Sequence, residues 1–158
     1  MESVRLRDMT KNEYDTFYEK SIVDYAEANV VSGRWSAEEA QKAAREQFEV
    51  LLPEGLMTPA NLLKMAEKAD GTVVGYVWIN LDYRPGTNSG AYIYDIEIHE
   101  EFRGQGLGRA LLQAAEETAR DHGVLKMGLN VFGQNAVARK LYESSGYETV
   151  AIQMKKTL

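Results

Sequence analysis

Three glycines in five positions, Gly104, Gly106 and Gly108, stand inside Arg103-Gly104-Gln105-Gly106-Leu107-Gly108. A β-rich run precedes them, Ala91-Tyr92-Ile93-Tyr94-Asp95-Ile96-Glu97-Ile98. Apolar residues then recur at helical spacing over 107–122. The glycines therefore sit where a strand hands over to a helix. Glycine accepts φ > 0 and lets the backbone come close to a ligand. The first N–H groups of a helix have no partner inside it. The helix dipole adds roughly half a positive charge at that end. A phosphate or pyrophosphate suits such a loop. Two familiar phosphate loops do not match. The Walker pattern lacks its closing Lys-Ser/Thr, and G-x-G-x-x-G counted from Gly104 falls on Arg109. Taken alone, the motif also reads as a glycine turn that merely packs a helix on a strand.

What remains is R-x-x-G-x-G between a strand and a helix, and it resembles the pyrophosphate loop of the GNAT acetyltransferases. A second motif, from Asn135 through Tyr142-Glu143-Ser144-Ser145-Gly146-Tyr147, stands at that family's spacing. The resemblance runs from residue 92 to the C-terminus. It implies acetyl-CoA as cosubstrate and no metal. The pyrophosphate would lie on the loop that Arg103 opens, against the amides of Gly104, Gln105, Gly106, Leu107, Gly108 and Arg109. The pantetheine arm would pair like an extra strand with the backbone of Ile96, Glu97 and Ile98. Ile96 and Ile98 are ordinary core residues at the same time. Asn135 stands where the family places an asparagine on the cofactor arm. It is equally a good helix N-cap before Ala136-Val137-Ala138. Tyr142 is implied as the general acid beside the thioester sulfur, since a phenol of pKa about 10 keeps its proton at neutral pH. By spacing alone Tyr142 is a stripe residue with Val137, Ala138 and Leu141.

The base is less defined. Asp95 and Glu97 are two residues apart and share one strand face. Such a pair can act through water on an amine, attract a cation, or serve as a structural pair bonded to loop amides. Some relatives carry a glutamate on the following strand. Here Gly128-Leu129-Asn130-Val131 offers Asn130, which cannot be a base. Relatives also often have a long loop between the last two strands, but only 12 residues follow Gly146. The acceptor pocket is therefore expected from residues 32–36 and 52–58. Trp35 and Tyr25 are its candidate walls, or ordinary packing residues.

The elements that must position these residues follow from the rest of the chain. Its 158 residues set the expectation of one domain, 1–158, with a real core. Residues 4–9 alternate apolar and polar, as in a half-buried strand. Thr10 with Glu13 and Ser36 with Glu39 are capping boxes for two helices, ending near Gly33 and at Pro53. Residues 58–68 have helical propensity, yet Asp70-Gly71 is a hairpin signal before the strand 72–79, so a strand is expected over 62–68. Residues 85–90 are a loop. The helix 107–122 buries Leu107, Ala110, Leu111, Ala114, Ala115, Thr118 and Ala119. A strand over 125–131, a helix over 135–145 and a last strand or strand pair over 147–156 complete the order β-α-α-β-β-β-α-β-α-β. The resemblance implies an α+β fold: a twisted, mixed, mostly antiparallel sheet of six to seven strands with four helices.

Composition removes several function classes. There is no cysteine, so disulfides, thiolate metal sites and a cysteine acyl-enzyme are excluded. Two histidines are too few for a histidine-rich metal site. A net charge of −6 argues against a nucleic-acid or anionic-membrane binder and leaves room for a cationic substrate. No apolar run approaches the ~20 residues of a membrane span. The start lacks a signal-peptide stretch. A cytoplasmic protein is expected, and a homodimer stays open. The expected activity is direct transfer of acetyl from acetyl-CoA to a primary amine of a small molecule or peptide. Two rivals are a non-catalytic acyl-CoA sensor of the same fold and a nucleotide module using the loop for another pyrophosphate.

Overall fold

The computed structural model describes residues 2–83 and 90–158. Among these described residues five strands form one sheet in chain order: β1 Arg5–Asp8, β2 Asn61–Glu67, β3 Val73–Tyr83, β4 Gly90–Ile98 and β5 Met127–Leu129. The first three pairings are antiparallel and β4 with β5 is parallel. Four α-helices flank it: α1 Lys11–Val31, α2 Ala40–Leu51, α3 Leu107–Asp121 and α4 Ala136–Ser144. No helix among the described residues is long and apolar enough to cross a membrane.

The start of α1 shows how local chemistry sets an element. Thr10 Oγ1 accepts the Glu13 N–H, and the Glu13 carboxylate accepts the Thr10 N–H. Arg7 grips the same carboxylate with two bonds of 2.7 and 2.9 Å. That grip, more than the cap, holds the Glu13 carboxyl down at about 2. At α2 only half of the expected box forms: Glu39 accepts the Ser36 N–H at 3.2 Å, and the helix itself begins at Ala40.

The ambiguous stretch before Asp70 is a strand. Asn61–Glu67 pairs with β1 on one edge and β3 on the other, and ladder bonds on both sides outweigh helical propensity. Side chains alternate across β3 with period two. Tyr76 and Trp78 point to α1 and α2, where Phe17, Ile22 and Phe48 are buried. Val77 and Ile79 point to α3, against Leu107, Leu111 and Leu112. Leu112 is fully buried although the expected stripe omits it. In β4 the register slips between Trp78↔Asp95 and Ile79↔Ile93. This bulge turns both Tyr94 and Asp95 toward α1. Tyr94 stacks on Trp78 at 4.6 Å, and Asp95 meets Ser21.

Two expectations fail at the end of the chain. The strand over 125–131 shrinks to Met127–Leu129, and no strand forms over 147–156. Among the described residues the sheet therefore has five strands, not six to seven. Among the described residues no backbone hydrogen bond involves 148–158, and all eleven of these residues are exposed. Of the loop expected at 85–90, only Gly90 lies within the described residues, and it opens β4.

Candidate active site

The glycine loop leaves β4 through a short 3-10 turn, Glu100–Phe102, and enters α3. Gly104 and Gly106 have φ of 75° and 79°, in the left-handed region. A Cβ added at either would meet nothing within 4 Å, so the space above the loop is open. Gly106 caps α3, and the first intrahelical bond there runs from Ala110 N–H to Gly106 O. The N–H groups of Leu107, Gly108 and Arg109 come before it and have no helical partner. Gly108 has a different reason: a Cβ there would come to 3.3 Å from Leu141, so it lets α3 approach α4.

Neither arginine of the motif aims its side chain at the loop's open side. Arg103 Nε donates to Ile98 O at 2.9 Å, and its guanidinium lies 3.8 Å from Glu97. Arg109 donates to Ser145 Oγ and Ser144 Oγ at 2.9 and 2.8 Å, tying α3 to the end of α4.

Beside the loop β4 has an unpaired edge. β5 covers only Ala91, Tyr92 and Ile93. Ile96, Glu97 and Ile98 lie beyond it and pair only with β3. Here the sheet opens, and a cavity of about 840 Å³ reaches from the opening to α1 and α2. Asp95, Glu97, Asn135 and Tyr142 all line it, which brings together residues from β4 and α4. Such a volume suits a small organic ligand.

The walls differ in part from expectation. Trp35 lines the cavity, but residues 52–58 do not. Instead α2 supplies Glu46, Gln47 and Leu51. α2 ends at Leu51, and the turn that follows packs toward β2. Tyr25 and Trp35 meet edge to face at 5.5 Å, with Arg34 over the Trp35 ring. Both are half-buried, packed on the core and lining the cavity, so both readings of them hold. Asn135 caps α4, its side-chain oxygen accepting the Ala138 N–H at 3.2 Å, while it also lines the cavity.

The two carboxylates are held differently. Glu97 is paired by Lys20 at 3.0 Å through both oxygens. Asp95 has no such partner among the described residues. It accepts from Ser21 Oγ at 3.1 Å and lies 3.3 Å from the Tyr76 hydroxyl, which stands equally near Glu97. Burial pushes the Asp95 carboxyl up to about 6, the Glu97 charge adds to this, and the Ser21 and Tyr76 hydrogen bonds oppose it. Tyr142 is pushed up to about 12, first by burial and then by the Asp95 charge. Its hydroxyl makes no hydrogen bond among the described residues, and its ring packs against Tyr147.

Three residues of this network, Ser21, Lys20 and Tyr76, are not singled out by the sequence reading. Ser21 carries a trace of a signal: it follows Phe17 by four residues and so sits on the buried face of α1. Lys20 and Tyr76 carry none, because only the fold brings α1 and β3 over Asp95 and Glu97. Among the described residues there is no cluster of three or more His, Cys, Asp or Glu placed to hold a metal ion.

Comparison with known proteins bears on this arrangement. Residues 16–147 match the model of the acetyltransferase (GNAT) family. The chain is 34% identical to a protein of Bacillus subtilis (strain 168) named as the uncharacterized N-acetyltransferase YycN, over 99% of both chains. The crystal structure of that protein superposes with a TM-score of 0.93. YdgE of the same organism, also named an N-acetyltransferase, is 32% identical over 97% of each chain. The PaiA N-acetyltransferase of Thermoplasma acidophilum, solved in complex with coenzyme A, shares the fold at a TM-score of 0.64 and 23% identity, covering 92% of this chain and 90% of that one.

Proposed function

This chain belongs to the GNAT acetyltransferase family, and from that premise we propose that it transfers acetyl from acetyl-CoA to a cationic primary amine. One observation carries the reading. An open glycine loop at the start of α3 and the unpaired edge of β4 adjoin a cavity that Asp95 and Tyr142 both line. In this reading the amides of the 103–109 loop take the pyrophosphate. Ile96, Glu97 and Ile98 form the edge of β4 that the pantetheine arm would pair with, an edge on which Arg103 Nε now holds Ile98 O at 2.9 Å. Gly104 and Gly106 fit this role because side chains there would fill the space above the loop.

Asp95 is the base and Glu97 is not. Glu97 is held by the Lys20 ammonium, whereas the Asp95 carboxylate is mostly ionised above pH 6 and still basic enough to take a proton. The bound ammonium first loses one proton to solvent, which frees its lone pair; the neutral amine then attacks the thioester carbonyl and gives a second proton to Asp95 as the new N–C bond forms. Tyr142 donates to the sulfur as the C–S bond breaks. A phenol near 12 facing a thiolate whose acid form titrates near 8.5 makes full transfer uphill by roughly 5 kcal/mol. Protonating Asp95 removes one of the two causes of that high value. The base step thereby prepares the acid step, and the proton returns to Tyr142 afterwards.

Acetyl-CoA is expected to raise the melting temperature by mass action. Gly106→Val keeps the fold but puts a β-branched residue at φ 79° in the path of the ligand. The expected result is a folded variant with no thermal shift from CoA. A normal shift would remove the loop from the cofactor site.

The acceptor class follows from charge. Among the described residues the cavity lining includes the carboxylates Asp24, Glu46, Asp95 and Glu97 and no lysine or arginine, although Lys20 pairs with Asp24 and Glu97, Lys42 lies 3.9 Å from Glu46, and Arg103 lies 3.8 Å from Glu97. Raising ionic strength from ~10 mM to 150 mM shortens screening from about 30 to about 8 Å. The KM for the best amine should rise with salt, while that for a neutral amine analogue should not. A salt-independent KM, or an anionic best acceptor, overturns the cationic assignment.

A further inference from the structure

Tyr76 stands between the two central carboxylates of the cavity with one proton to give. It lies on β3 directly across from Glu97, diagonal to Asp95, and is 4% exposed. Its hydroxyl oxygen is 3.3 Å from Asp95 Oδ2 and 3.3 Å from Glu97 Oε2. Both distances are long for a hydroxyl donor, so neither carboxylate holds it tightly. An O–H is a single donor and serves one of them at a time. Burial, then the charges of Asp95 and Glu97, hold this phenol far above its ordinary range, so it keeps its own proton throughout.

The two carboxylates differ in what else holds them. Lys20 Nζ lies 3.0 Å from both oxygens of Glu97, and Arg103 lies 3.8 Å from one, so Glu97 keeps its charge. Asp95 takes Ser21 and Tyr76 on the same atom, Oδ2. Oδ1 has no hydrogen-bond partner among the described residues. No side-chain oxygen among them is buried without a partner, so Oδ1 opens to the cavity that Asp95 lines. The oxygen that can take a proton and the oxygen that is held are therefore different atoms. The other titratable groups turned to the same cavity are Asp24 on α1, Glu46 on α2 and Tyr142 on α4.

We propose that Tyr76 is a hydroxyl switch, a positioning residue that donates to Asp95 while that carboxylate is ionised and turns to Glu97 once Asp95 Oδ1 holds a proton. Only the C–O torsion of the phenol changes, and no proton leaves Tyr76. Ionised Asp95 is stabilised by two donors. Once protonated, its Oδ2 is a weaker acceptor, and the charged Glu97 beside it is the better one. The hydrogen bond is kept in both states, and Glu97 serves the cycle without being a base. The use of the switch in catalysis rests on Asp95 acting as the base, as proposed above; the switch itself does not.

Carboxyl 13C NMR reads the titration midpoint of Asp95 without turnover, its signal identified by its absence in Asp95→Asn. His99→Gln in the background removes the histidine ring that lies 6.4 Å from Tyr76. Tyr76→Phe keeps the ring against Phe17 and leaves Ser21 on Asp95 and Lys20 on Glu97, so the fold is kept. A donor to the ionised form lowers a pKa, so its loss raises the midpoint. With Glu97 present the expected rise is roughly 0.5 unit, because the protonated state also loses a bond. Glu97→Gln first lowers the midpoint by removing the neighbouring charge. Tyr76→Phe then raises it by roughly 1 unit or more in that background, because a neutral amide competes poorly for the hydroxyl. Equal rises in the two backgrounds mean a hydroxyl fixed on Asp95 and overturn the switch. No rise in either means that Tyr76 only packs, and overturns its positioning role as well. With Tyr76 and both carboxylates intact, the ring carbon bearing the Tyr76 hydroxyl should shift with the same midpoint as Asp95; a ring signal that does not move overturns the switch. In turnover, the acid limb of kcat/KM should follow these midpoints while the Kd for acetyl-CoA stays constant. Midpoints that move as expected in a protein that acetylates no amine would uphold the switch and remove only the acetyl-transfer reading.

Discussion

Tyr142→Phe lowers kcat by about 10²–10⁴-fold and leaves the Kd for acetyl-CoA within roughly threefold. The ring stays against Tyr147, so packing is kept and only the hydroxyl is lost. That hydroxyl makes no hydrogen bond among the described residues, so no protein group is left unpaired by the change. Its loss shows only where charge develops on sulfur. An interaction confined to the transition state does not appear in ground-state affinity. A better leaving group than the thiolate should partly rescue the variant. If Tyr142 only packs α4 against its neighbours, kcat stays close to that of the unaltered protein. That result would remove it from the mechanism.

Asp95→Asn has the second largest effect, and it moves activity and stability in opposite directions. Activity falls by about 10²-fold or more because the base is lost. The acid limb of kcat/KM, set near 6 by Asp95, disappears with it. The stability change has a definite sign. The folded-state pKa of Asp95 lies above its unfolded value of 3.8, so the folded state binds the proton more tightly. Its contribution is most favourable below about pH 4 and declines as pH rises toward 6. At pH 7.5 the protein carries the whole cost of a buried, ionised carboxylate, of order 3 kcal/mol before relaxation. Asparagine keeps an acceptor for Ser21 without the charge. The melting temperature at pH 7.5 should therefore rise by several degrees, and the gain should vanish near pH 4. A variant that loses stability at pH 7.5 would mean that Asp95 is a structural partner of Ser21 and Tyr76. Glu97→Gln should behave differently, because it leaves the Lys20 ammonium without its closest cross-element partner.

Much of the fold could be read from local chemistry. Asp70-Gly71 decides the strand before it, since a hairpin needs a partner strand, and Asn61–Glu67 supplies one. Gly104 and Gly106 mark the strand-to-helix junction because both take φ > 0 there. Asp95 and Glu97 share a face as period two requires, but the bulge at Tyr94 is invisible without the register. The tail misleads for a physical reason. Val150, Ile152 and Met154 have strand periodicity, and periodicity reports an apolar face, not a partner strand to pair with. The side chains of Arg103 and Arg109 also escape a reading by motif. They bind Ile98 O and the Ser144 and Ser145 hydroxyls, and only the fold places these within reach. The control of Asp95 by Ser21 and Tyr76 is of the same kind, since 74 and 19 residues separate the partners.

Free thiol released from acetyl-CoA, followed with a thiol reagent against a panel of amines, tests the account most directly. The protein contains no cysteine, so every thiol detected comes from the cosubstrate. Release should depend on the amine, match the N-acetylated product one to one, be fastest with a cationic primary amine, and vanish in Gly106→Val. A protein that shows the CoA thermal shift but releases no thiol with any amine would be a binder of acyl-CoA and not a transferase.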